Sequence, residues 1–376
     1  MLRRFLSRLR GAVGRSPRVN RRNAQSKRAG AVQPRLEALE DRMLPAIVTW
    51  INPASGNWDT AANWSDGTTN RLPGPNDDAI IDTAGITVTH SSASANDAVG
   101  SLTSAATLAI SGGTLAFGAP STVSSLTLSG GALTGPGDVT IDNSLLWTGG
   151  TMSGAGHTIV SGTAEVGGSS GPLLNGRALD NAGTAVVDNG ATLNMFGGAV
   201  FTNEAGATLT LQGTGSLGGS ASEAINNAGQ FIKAGPTNSA ANLGLSVDNT
   251  GTMDVAGGSL TLFSALTNEG TLHLEQGTSA SLAGGTSSGD FSLDGGSSLA
   301  VNFSSFTLQT GATVEVAAGA QFVINGTVTQ EGGAAVTLAS GGVVRIGNLF
   351  GATYALNNGA TVSGPGVVQV KISSTS

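Results

Sequence analysis

Cysteine is absent from the 376-residue sequence. The chain therefore has no disulfide, no thiolate nucleophile and no Cys-built zinc site. Charge is sparse: 11% of residues are Asp, Glu, Lys or Arg, against about 25% in an average soluble protein. Aromatic residues make up 4%. No run approaches the roughly 20 apolar residues of a membrane-spanning helix. Few charges combined with 39% hydrophobic residues exclude the high-charge, low-hydropathy composition of a disordered chain. What the sequence has in quantity is glycine, 58 residues, interleaved with short stretches of Val, Leu, Ile, Thr and Ala. That combination predicts an all-β chain with many tight turns.

The formal net charge of −7 is unevenly spread. Residues 1–45 hold twelve Arg and Lys against Glu37, Glu40 and Asp41, a net +9, and residues 46–376 carry −16. Residues 1–45 are read as a basic leader, mostly disordered. A basic arm can neutralise phosphates, but nothing downstream resembles a base-reading module, so nucleic acid is not an expected partner. The leader lacks the apolar core of a secretory signal peptide. Arg3-Arg4-Phe5-Leu6 resembles the start of a twin-arginine signal without the apolar segment that should follow.

From about residue 100 the chain repeats. Gly-Gly pairs at Gly112-Gly113, Gly130-Gly131 and Gly149-Gly150 recur in steps of 18 and 19 residues. An Asn–Gly unit then takes over, at Asn181, Asn203, Asn227, Asn249 and Asn268, in steps of 22, 24, 22 and 19. A period near 20 is the mark of a solenoid. Each Asn–Gly corner is expected to use the left-handed backbone that Gly and Asn tolerate. Alternating strands follow, such as Thr252-Met253-Asp254-Val255 and Thr271-Leu272-His273-Leu274, with Met253, Val255, Leu272 and Leu274 inward and His273 outward. Successive coils stack at about 4.8 Å, so on the order of 13 coils give a rod of roughly 60 Å. The five corner Asn are expected to stack as a structural ladder exchanging amide hydrogen bonds. The fold class is all-β, a single-stranded parallel β-helix spanning 100–372, preceded by a Trp-rich cap with the first coils at 46–99 and followed by a polar tail, 373–376.

Two segments carry resemblances. Pro34-Arg35-Leu36-Glu37-Ala38-Leu39-Glu40-Asp41-Arg42-Met43-Leu44-Pro45 resembles the Leu-Glu-x-Leu-Glu-x-Arg-x-Leu segment near the N termini of planctomycete-type surface proteins, with Asp41 where that pattern usually has Pro. The resemblance implies a sorting or export tag and a cell-surface or extracellular location. In a short helix, Leu36, Leu39, Met43 and Leu44 would share one face. The stretch Gly56-Asn57-Trp58-Asp59-Thr60-Ala61-Ala62-Asn63-Trp64, followed by Pro73 to Ile81, is similar to the opening of autotransporter-like and adhesin-like β-helices. This likeness implies a right-handed helix.

Trp50, Trp58 and Trp64 have two readings, a hydrophobic cap over the open solenoid end or an aromatic platform for a sugar. Asp77 and Asp78 are adjacent acids, too few for a calcium site. His90, His157 and His273 have no Ser or Asp partner in the local sequence. Neither a P-loop nor His-Glu-x-x-His occurs, nor the Gly-Gly-x-Gly-x-Asp repeat of calcium-loaded β-rolls. The chain closes on Val367-Val368-Gln369-Val370-Lys371-Ile372, a last coil without the long strands of a membrane barrel. No catalytic residue, cofactor or metal is expected. The expected function is an exported structural or adhesin-like scaffold that touches envelope proteins or glycans and can associate laterally with itself. A carbohydrate-binding or polysaccharide-degrading β-helix is the alternative.

Overall fold

Apolar and small polar residues alternate over stretches of about four, and each stretch becomes a strand with two side chains in and two out. Thr252–Val255, Thr271–Leu274 and Thr313–Val316 all bury their second and fourth residues. The structure, a computed structural model, describes residues 45–371 apart from 169–170, 303 and 348–350. The segments read as a basic leader with a sorting tag and as a polar tail lie outside the described residues.

One coil contains three strands. Ala224–Asn227 lies on a first face, Gln230–Ala234 on a second and Ala240–Leu243 on a third. The next coil repeats the pattern, each strand pairing in parallel with its counterpart. Ile225 registers with Val247, Phe231 with Met253 and Ala241 with Leu260. The chain is thus a parallel β-solenoid of about 14 turns. The only antiparallel pairing among the described residues joins Ile47–Trp50 to Trp64–Ser65 at the start. Ala61–Asn63, a single 3-10 turn, is the only helical element described.

Register stacks the inward side chains into columns. On the first face Phe201, Ile225, Val247 and Leu266 follow one another, and on the second Phe231, Met253, Leu272, Phe291, Val314 and Val336. All are at most 2% exposed. Each such side chain contributes about 1.5–3 kcal/mol by leaving water. Phe291 and Phe306 meet edge-on at 5.9 Å, joining the first and second faces across the core.

The corners are built in two ways. Ser101–Ile110, Ser121–Leu128 and Val139–Trp147 run from the first face into the second through a register shift, as between Ile141 and Ser144. These corners are bulges in continuous strands. In later coils the same corner becomes the Asn–Gly unit. There the left-handed glycine holds only in the longer corner, at Gly206 with φ +86°, and is corrected in the others: Gly183, Gly229, Gly251 and Gly270 all lie outside the positive-φ region. Glycine is needed instead because the coils touch. A methyl group on Gly251 would sit 2.2 Å from the carbonyl oxygen of Gly229, and one on Gly270 2.0 Å from that of Gly251. The Gly-Gly pairs use the left-handed backbone, with φ of +67°, +64° and +76° at Gly113, Gly131 and Gly150.

Candidate functional site

The inner polar column occupies the corner between the first and second faces. Asn181 Nδ2 donates to Asn203 Oδ1 (2.8 Å), Asn203 to Asn227, Asn227 to Asn249 and Asn249 to Asn268 (2.7 Å each). Asn268 passes the chain to Ser287 Oγ at 3.0 Å. The second amide hydrogen of each Asn goes to a backbone carbonyl of the next coil, as from Asn227 to Thr252 O at 3.0 Å. All five Asn are buried. Their donors are consumed inside the stack, which satisfies carbonyls that the corner would otherwise strand.

Trp50, Trp58 and Trp64 form one edge-on cluster, with ring centroids 5.1 Å apart for Trp50–Trp64 and 4.7 Å for Trp58–Trp64. Trp64 Nε1 donates to Trp58 O at 2.9 Å. Trp58 and Trp64 are fully buried and Trp50 nearly so. A sugar platform needs an open ring face, and these rings offer none. Asp77 and Asp78 do not form a cation pair either. Asp77 meets the Arg71 guanidinium at 2.5 Å and accepts from Gly74 N, and Arg71 reaches on to Asp66 at 2.8 Å. The Arg71 hydrogen bond holds the Asp77 carboxyl below its ordinary range, and backbone bonds from Thr69 and Thr68 help do the same for Asp66. Asp78 accepts from Ser101 Oγ.

Every histidine has an aspartate partner, contrary to the expectation from local sequence. For His157 and His273 parallel stacking supplies it from another coil, whereas the nearest acid to His90 is Asp97 of the next strand in the same coil. His157 Nδ1 meets Asp180 Oδ2 at 2.6 Å. His273 registers opposite Asp254 and contacts it at 3.0 Å, with Asp294 at 3.3 Å on its other nitrogen. His273 does face outward, part-buried between these acids.

The third histidine is fully buried. His90 ends the second-face strand Thr87–His90, and its Nδ1 lies 2.7 Å from Gly112 O. A carbonyl only accepts, so Nδ1 carries the proton. Nε2 then lies 3.0 Å from Asp97 Oδ2 and 3.7 Å from Asp59 Oδ1. Asp59 Oδ1 is buried without a hydrogen-bond partner. Burial raises the Asp59 carboxyl above its usual range, His90 pulls against that, and Asp97 adds to it. Among the described residues this is the group of His and acid side chains whose geometry could hold a metal ion. Sequence reasoning missed it because Asp97 reaches His90 around a corner of the same coil and Asp59 comes from the opening segment about 30 residues earlier.

Two buried cations are structural in their contacts. Arg177 spends all its donor nitrogens on Thr158 Oγ1 and on the carbonyls of Gly135, Ser153, Gly137 and His157, tying three coils together. Burial lowers its pKa to about 10. Lys233 Nζ donates to Ala234 O, Ser239 Oγ and Gly257 O, and burial lowers it too. Gly285-Thr286-Ser287-Ser288-Gly289 has the Gly-x-Ser-x-Gly spacing of hydrolase nucleophiles. Ser287 is buried in the Asn column, bonded to Asn268 and Gly289 O rather than to an imidazole.

Outside, in-register stacking lines up polar side chains. Thr163, Thr184 and Thr208 follow one another on the second face, and Thr267, Thr286, Thr307 and Thr329 on the first. An open groove near the later coils is lined by Asp294 and Glu315 with Ser292 and Thr337. No described helix is long and apolar enough to cross a membrane. No protein-family model, no curated protein and no solved structure matches this chain.

Proposed function

We propose that this chain is an exported cell-surface scaffold of the adhesin-like kind, without catalytic activity, presenting a long polar surface to glycans or envelope proteins. The observation that carries this reading is the division of labour in each coil. Inward polar groups such as the Asn column and Arg177 are spent on holding the stack, while outward rows of Thr repeat at strand spacing over three or four coils at a time. A repeated row of hydroxyls suits weak, multivalent contact better than a single deep pocket. The surface location rests on the resemblance of residues 34–45 to planctomycete-type sorting segments and of residues 56–81 to adhesin-like openings.

Cell fractionation with surface proteolysis tests it, using one antibody to the solenoid and one to residues 1–45. Solenoid signal accessible to protease on intact cells is the expected result. A protease-protected cytoplasmic signal overturns the reading. The second reading, carbohydrate binding or cleavage, rests on the groove with Asp294 and Glu315. It requires a purified chain that binds or cuts a polysaccharide, and loss of that activity in Asp294→Asn or Glu315→Gln.

A further inference from the structure

Three ligand-capable atoms converge at the solenoid's start, and one of them, Asp59 Oδ1, is buried without a hydrogen-bond partner. Nδ1 of His90 holds its proton on Gly112 O, so the Nε2 lone pair faces the carboxylates of Asp59 and Asp97. A lone pair 3.0 Å from a carboxylate oxygen is repulsive unless a cation lies between them. A proton on Nε2 answers the nearer contact and leaves Asp59 Oδ1 buried without a hydrogen bond. A metal ion answers all three.

We propose that Asp59, His90 and Asp97 bind a divalent transition-metal ion of the Zn²⁺ class, which clamps the Trp-containing opening segment to the first coils.

The distances fit. Tetrahedral Zn²⁺ with bonds of about 2.0–2.2 Å places its ligand atoms roughly 3.3 Å apart. The observed separations from Nε2, 3.0 and 3.7 Å, bracket that value, and all three ligand atoms lie within 4.8 Å of one another. The bond from Nδ1 to a backbone carbonyl is the outer contact that orients metal-binding imidazoles. Gly113 backs the ring, since a methyl group there would lie 2.8 Å from His90 Cε1. One imidazole with two carboxylates suits Zn²⁺, Co²⁺ or Ni²⁺. It does not suit Ca²⁺, which takes six to eight oxygens. Two carboxylates balance a double positive charge. The Asp59 and Asp97 side chains are 19% and 22% exposed, which opens the fourth position to water. The ligands come from the opening segment after Gly56–Asn57, the second-face strand Thr87–His90 and the third-face strand Asn96–Val99. One ion therefore cross-links three pieces of chain.

The test uses the full, tag-free chain stripped with chelator. Calorimetric titration with Zn²⁺ is expected to show one equivalent bound, and Co²⁺ to give the visible absorption of a tetrahedral site. Zn²⁺ is also expected to raise the melting temperature. Asp59→Asn and Asp97→Asn should each weaken Zn²⁺ binding by ten-fold or more. Both sites are partly exposed and the replacements nearly isosteric, and circular dichroism confirms that the variants fold. The double variant His157→Gln/His273→Gln should bind as the parent does. Absence of a one-equivalent Zn²⁺ isotherm overturns the proposal. Binding that survives both Asp variants but is lost in the double His variant overturns it as well, moving the ion to the outer clusters.

Discussion

Gly270 and Gly277 separate two reasons for using glycine. A methyl group on Gly270 would lie 2.0 Å from Gly251 O, although its backbone is outside the left-handed region. Gly277 has φ +76° with nothing within 4 Å of that position. Gly277→Ala should therefore cost about 1 kcal/mol of backbone strain. Gly270→Ala forces the coils apart and should cost about 3 kcal/mol or more. Urea unfolding of the two variants checks the order, and equal losses would remove the close-approach argument. The Asn–Gly recurrence was plain in the sequence, but the reason for its glycine was not. Local sequence shows which residues tolerate φ > 0, whereas the distance to the preceding coil exists only after stacking. The same limit hid the His–Asp pairs. Asp254 and His273 are neighbours because 19 residues make one turn there.

Between Ser216–Gly218 and Ala240–Leu243 the third face changes from one hydrogen-bonded ladder to another. The turn that leads from Ser216–Gly218 to Ala224–Asn227 is held by Glu223, which accepts from Ser220 N at 2.8 Å and Gly198 N at 3.2 Å as well as from the hydroxyls of Ser220 and Ser222. These bonds, the Ser220 backbone first, lower its pKa from 4.5 to about 2. A carboxyl depressed on folding stabilises fully above its unfolded value and loses that contribution as pH falls through the folded one. The turn should thus loosen between about pH 4.5 and pH 2, seen as faster hydrogen exchange over residues 219–223. In Glu223→Gln that pH dependence should largely vanish. An unchanged profile in the variant would remove Glu223 as the source of the acid response. The strand periodicity of these elements could be read from alternation alone. The break in the ladder could not, because Lys233 and Glu223 look in the sequence like solvated charges and are buried in the structure.

At the scale of the whole chain, each coil touches only its neighbours, so stability is close to a sum of local terms. All four tryptophans lie at residues 50–147. Indole fluorescence reports the early coils, whereas far-ultraviolet circular dichroism reports every coil. Asn249→Ala removes an acceptor from Asn227 and leaves Thr271 O without its amide donor, at a cost of about 2 kcal/mol. It should lower the dichroism midpoint in urea and leave the fluorescence midpoint nearly in place. Joint movement of both would mean that the stack melts as one unit. The repeat and the all-β class were legible from glycine spacing and composition. Three faces per coil and the joining of separate residues into one His–Asp–Asp cluster were not, since both depend on how many residues each corner absorbs.

That last quantity bears on how such a chain changes over generations. Successive Asn of the column are 22, 24, 22 and 19 residues apart, yet the column stays in register. The extra residues sit at the corners, as in Asn203-Glu204-Ala205-Gly206-Ala207 beside the shorter Asn227-Ala228-Gly229. A one-residue insertion inside a strand would turn every following side chain of that strand inside out, whereas the same insertion at a corner is absorbed. Duplication or deletion of a whole coil keeps both neighbours matched. Such a molecule can lengthen or shorten in increments of about 4.8 Å along its axis, so the spacing it spans is inheritable separately from the surface it displays.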